Sequence, residues 1–251
     1  MARPFPMLVA ALLLAAAPGM AGAAGPGFPL QDSGAEVGNQ ASLQRGAQLF
    51  MNYCSGCHSL EYVRYNALAE GLGLTDAQVA ENLRFTSDSP HDQMTIAMPK
   101  EAAAGWFGQA PPDLSLMARA RGTDYIYTFL KSFYVDPGSR VTGVNNKVLP
   151  GTSMPHVLWE LQGLQEAVYR QEQGADGASR EVFERFELVQ PGSMTPEEYS
   201  EAARDITAFL SWAAEPMQLE RQRLGIAVLL FLLVLFGFSW AYYKELWKDV
   251  K

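Results

Sequence analysis

The sequence predicts a mainly α-helical domain with long loops, preceded by an export signal and followed by one transmembrane helix. Three observations predict it. Helix caps and helical apolar spacing recur between residues 42 and 216, the apolar run 224–243 holds no charge, and strand-like alternation is confined to residues 186–189. The chain has 251 residues, 48% apolar and 18% charged, too hydrophobic for a disordered tail and too mixed for a polytopic membrane protein. Its formal charge of -8, from 27 acidic against 19 basic side chains, argues against nucleic acid as a partner and suits basic proteins.

Taken in order, the first element is a signal peptide over residues 1–23. Arg3 precedes the apolar run 7–17, and Ala21 and Ala23 stand at the -3 and -1 positions of a cut after Ala23. The run is shorter than the ~20 residues that span hydrocarbon. The mature chain then begins near Ala24, outside the cytoplasm, with 24–41 as a lead into the domain at 42–216. There Ser42 is expected to cap a helix carrying Leu43, Ala47, Phe50 and Tyr53, and Thr75 with Gln78 makes a capping box before Val79 and Leu83. The Gly- and Pro-rich stretch 136–155 reads as a functional loop. In Thr195-Pro196-Glu197-Glu198, cap, first-turn proline and Glu precede Tyr199, Ala202, Ala203, Ile206, Phe209, Leu210 and Ala213 at helical spacing, a helix ending before Pro216.

Residues 224–243 are long enough to cross a bilayer as a helix. Trp240, Tyr242, Tyr243 and Trp247 fit an aromatic belt at one interface, and the tail 244–251 carries Lys244, Lys248 and Lys251. A cleaved signal places everything before this anchor outside and the tail in the cytoplasm.

The only two cysteines lie in Cys54-Ser55-Gly56-Cys57-His58, which excludes a disulfide scaffold or a four-thiolate metal site within one chain. Two thiols three positions apart with His next are the attachment signature of haem c: each sulfur adds to a vinyl group, and the His ring reaches the iron. A zinc site would need ligands that no nearby Cys or His supplies, and a thioredoxin-like pair would need a βαβ setting. One covalently attached haem c is therefore expected, with Cys54 and Cys57 as anchors and His58 as axial ligand. For the sixth position the ten methionines, His91 and His156 are all candidates. Two loop methionines stand before proline, Met98 and Met154, and the pattern favours Met154; His156, two residues on, keeps a bis-His site open.

Together with Ala110-Pro111-Pro112-Asp113-Leu114-Ser115, the segment Arg119-Ala120-Arg121-Gly122-Thr123-Asp124-Tyr125, the run Met154-Pro155-His156-Val157-Leu158-Trp159 and the anchor ending Lys244-Glu245-Leu246-Trp247-Lys248-Asp249-Val250, the motif makes a chain that resembles the cytochrome c1 family almost end to end. That family is the haem subunit of ubiquinol:cytochrome c reductase. The resemblance implies a cytochrome c-like haem domain held in the periplasm by its anchor in the bacterial inner membrane, not an enzyme on its own. It further implies one-electron relay from a Rieske iron-sulfur protein to a soluble cytochrome c, with cytochrome b alongside. It makes Met154 the sixth ligand, Pro111 and Pro112 the haem-pocket wall with a carbonyl for the His58 Nδ1–H, and Arg121 and Tyr125 partners of a haem propionate. Ser153 and Pro155-His156 depart from the mitochondrial-type pattern, which has Gly before the ligand Met and Ala-Pro-Pro after it. The competing functions are a free-standing membrane-tethered carrier serving an oxidase or reaction centre, and a haem enzyme or gas sensor.

Between residues 160 and 205, eleven acids face four arginines. This is either a solvated helix face or a docking field for a basic cytochrome c.

Overall fold

A computed structural model describes residues 27–139, 142–173 and 179–250; the expected signal peptide and the last tail residue, Lys251, lie outside them. The first helix, α1 (Gln40–Tyr53), is capped by Asn39, whose side chain accepts the Ser42 N–H at 3.2 Å. Ser42, expected as the cap, instead sits in the first turn and donates its hydroxyl to Asp205 at 2.5 Å, because a buried carboxylate needs donors. Strand β1 (Leu60–Arg64) pairs antiparallel with the short β2 (Gln93–Met94), and between them lie α2 (Tyr65–Leu72) and α3 (Asp76–Asn82). The capping box of Thr75 and Gln78 on α3 is formed as expected. Next come α4 (Lys100–Phe107), α5 (Met117–Arg121) and α6 (Thr123–Lys131), then β3 (Phe133–Val135) paired with β4 (Val144–Asn146), and the short α7 (Trp159–Gln162).

The core forms where α1 crosses α8 (Pro196–Ala214), whose Thr195 and Glu198 also complete a capping box. A Cβ at Gly46 would stand 2.0 Å from the Asp205 carbonyl oxygen, so glycine is what lets the two backbones touch. Phe50 and Phe209 meet across the crossing at 5.5 Å, amid buried Leu43, Ala47, Leu68, Leu72 and Ile206. Asp205 is 4% exposed and ion-paired to Arg45 at 2.6 Å. It belongs to the core and drops out of the acidic surface.

Strands β5 (Gly163–Gln173) and β6 (Ser179–Pro191) form an antiparallel hairpin, where the sequence suggested a strand at 186–189 alone. The helix-face reading of the acidic segment is therefore wrong for residues 163–173 and 179–191, while Asp176 lies outside the described residues. Val168, Tyr169, Val182, Phe183 and Phe186 are strong strand formers, and the interspersed charges mask their alternation. Gly163 (φ +91°) closes the base, since a Cβ there would meet the Gln190 carbonyl oxygen at 2.2 Å. Beyond α8, Arg221 pairs with Glu215 at the start of α9 (Gln218–Leu246). This helix of 29 residues is about 43 Å long at 1.5 Å per residue, unburied throughout, and among the described residues the one long and apolar enough to cross a membrane.

Candidate haem site

Helix α1 delivers the motif. Cys54 ends the helix, and a tight turn follows in which the Cys57 and His58 amides both donate to the Cys54 carbonyl, at 3.0 and 2.9 Å. Both thiols and the imidazole thus leave one turn. Neither cysteine is in a disulfide; Cys54 is buried and Cys57 half-buried. Burial, then the neighbouring Cys57, pushes the Cys54 thiol up to about 12.

The His58 Nδ1 lies 2.7 Å from the Pro112 carbonyl oxygen. A carbonyl can only accept, so Nδ1 carries the proton and Nε2 keeps its lone pair for a metal. Burial holds this imidazole below its usual range, against the opposing pull of the Pro112 carbonyl and Asp113. The Pro111-Pro112 segment is itself fixed. Asp113 accepts the Glu61 and Ser115 amides, each at 2.8 Å, Ser115 accepts the Tyr62 amide at 3.1 Å, and the Leu114 amide donates to the Ser59 carbonyl at 3.0 Å. The roles of Asp113 and Ser115 were not read from the sequence, although an Asp two residues before a Ser after two prolines is a turn-forming signal.

Met98 lines a cleft with Ser59, Pro111 and Asp113, beside the segment that holds Nδ1. A second cleft joins His58 to Phe50, Met51, Tyr65 and Met94, and Met154 borders neither. Met154 is half-buried in the loop before α7, its amide donating to Thr152 Oγ1 at 3.2 Å. His91 is exposed; His156 is 6% exposed, stacked on Phe133 at 5.0 Å, and lowered to about 4, first by burial. Gly122, at φ +89°, turns α5 into α6 and brings Arg121 within 5.5 Å of the Tyr125 ring. Arg121 is exposed and Tyr125 half-buried, stacked on Phe129 at 6.2 Å. Two free thiols on one turn and an imidazole with Nε2 available are a donor set that fits covalent haem.

The model of the cytochrome C1 family matches residues 35–250. The chain belongs to the cytochrome c1 family. It is 48% identical to cytochrome c1 of Allochromatium vinosum over 97% of this chain and 98% of that protein. A protein of Nitrosomonas europaea named ammonia monooxygenase gamma subunit is 38% identical over 99% of both chains. Cytochrome c1 of Rhodospirillum rubrum is 34% identical over 85% of this chain and 83% of that one. Family membership makes this a c-type cytochrome of electron transport that carries haem c, attached covalently by the family's norm.

Proposed function

We propose that this cytochrome c1 relays single electrons from a Rieske iron-sulfur protein to a soluble cytochrome c, as a subunit of ubiquinol:cytochrome c reductase beside cytochrome b. The observation that carries the proposal is the 2.7 Å contact between His58 Nδ1 and the Pro112 carbonyl, on the turn that also presents Cys54 and Cys57. Haem supplies a one-electron ferric–ferrous couple. Cys54 and Cys57 would hold it, and His58 would ligate its iron through Nε2. Met154 would supply the second protein ligand, a soft sulfur that favours the reduced state. The position of Met98, beside the segment that binds Nδ1 and not the free Nε2, supports Met154. Pro111 and Pro112 wall the pocket, while Arg121 and Tyr125, adjacent at the α5–α6 turn, reach a propionate.

In this reading residues 1–23 are removed, 24–41 lead into the periplasmic domain 42–216, residues 224–243 span the inner membrane in contact with lipid, and 244–251 lie in the cytoplasm. The acids Glu166, Glu172, Glu181, Glu184 and Glu187 on the hairpin speed encounter with a basic cytochrome c, tempered by the pairs Arg170–Glu172 at 3.2 Å and Arg185–Glu187 at 3.1 Å. The similarity to a protein named as an ammonia monooxygenase subunit favours one second reading, a tethered carrier outside a quinol-oxidising complex.

Gentle solubilisation with subunit identification separates the two. Copurification with a b-type cytochrome and an iron-sulfur protein is the expected result, and a c-type cytochrome isolated alone would favour the second. Truncation after Pro216 is expected to release a haem-loaded domain into the periplasm. Retention of that fragment in membranes lacking other subunits would refute the single anchor.

A further inference from the structure

Between Val148 and Leu158 a single side chain is buried, and it belongs to His156. Its ring lies within 5° of parallel to that of Phe133, with centroids 5.0 Å apart, and Phe133 is only 1% exposed. His156 is thus the buried side chain by which the Met154-bearing part of the loop meets the domain, beside partly buried Val157. The polar groups facing that ring are the Gln162 side chain and the Gly163 backbone. His156 Nε2 and Gln162 Oε1 are both buried and both without a hydrogen-bond partner, while Gln162 Nε2 donates to the Lys131 carbonyl at 3.2 Å. A buried polar atom left unpaired is destabilising, because it has given up its hydrogen bonds to water. An N–H on Nε2 and the Gln162 oxygen are complementary, donor to acceptor, and one internal water bridging them would satisfy both.

We infer that His156 is a positioning residue for Met154: stacked on Phe133 and facing Gln162, it anchors the loop at 152–157 and fixes where the Met154 sulfur stands. This rests on Met154 being an axial ligand. It gives His156 a supporting role in place of the bis-His alternative, since one face of its ring is covered by Phe133 and its edge is turned to Gln162. The start of the loop is held by the Leu149 and Gly151 amides, which donate to Asn146 Oδ1 at 3.2 Å and Asn145 Oδ1 at 2.8 Å, whereas nearer Met154 the bonds stay inside the loop. Met154 N–H donates to Thr152, and the Val157 amide to the Pro155 carbonyl at 2.9 Å, both inside the loop.

The test compares His156→Phe, His156→Ala and Met154→Ala in the full-length holoprotein, by carbon monoxide difference spectra and redox titration, with haem staining to confirm loading. Phe keeps the stack and fills the space but loses the polar pair. It should raise the carbon-monoxide-reactive fraction roughly fivefold, the size expected for one buried hydrogen bond. Ala removes stack and pair, so reactivity should rise further and the potential should fall; should Ala fail to accumulate, the Phe variant decides. If both His156 variants exclude carbon monoxide at unchanged potential while Met154→Ala opens the iron, the positioning role is overturned and the ligand reading stands. If His156→Phe opens the iron and Met154→Ala does not, His156 is itself the ligand and both readings are overturned.

Discussion

Around His58, the two cysteines and the imidazole fall within five consecutive positions, whereas Met154, the second ligand on the proposed reading, stands on a loop far along the sequence. The first is held by a dense set of bonds: two amides onto the Cys54 carbonyl, Nδ1 on the Pro112 carbonyl, and Asp113 and Ser115 tying their segment to β1. The second is held more sparsely, by buried His156, by partly buried Val157 and by the Leu149 and Gly151 amides on Asn146 and Asn145, while the Met154 amide bonds only within the loop. A ligand set local in sequence is built by a helix end and a turn. On the proposed reading Met154 would depend on tertiary support, and it is there that Ser153 and Pro155-His156 depart from the mitochondrial-type pattern.

The largest effect that sharpens this contrast is expected at the cysteines. Replacing Cys54 and Cys57 together by Ala should abolish covalent haem, read on a haem-staining denaturing gel; undiminished staining would break the His58-side account. Asp113→Ala comes next, since it strands two backbone amides and loosens the Pro112 carbonyl. It should lower unfolding stability by about 1–3 kcal/mol in a denaturant titration. Thr152→Ala, on the other side, removes one half-buried bond to the Met154 amide and should cost about 0.5–1.5 kcal/mol at most, with Cys54 and Cys57 still carrying haem. Equal losses from the Asp113 and Thr152 variants would mean that the two sides do not differ as described.

The same contrast explains how much the sequence disclosed. The two capping boxes, the end of α8 and the apolar anchor were legible because each signal lies within a few residues. So was the acceptor for His58, through its resemblance to a known pattern and confirmed as a 2.7 Å contact. The Asn39 cap was missed because Ser42 answers to Asp205, 163 positions away. The hairpin was missed because its apolar residues sit among charges that break up their alternation, and the pairing that joins the strands is not local in sequence. The place of His156 was hidden for the same reason: Phe133 and Gln162 become its neighbours only through the α6–β3 and α7 packing.

The central proposal is that a haem attached through Cys54 and Cys57 would take His58 and Met154 as its two protein ligands. A redox titration with carbon monoxide difference spectra on Met154→Ala and Met98→Ala tests it most directly. The account predicts that Met154→Ala binds carbon monoxide and shows a lowered reduction potential while Met98→Ala does neither. An open, low-potential haem in Met98→Ala with a normal Met154→Ala would contradict it.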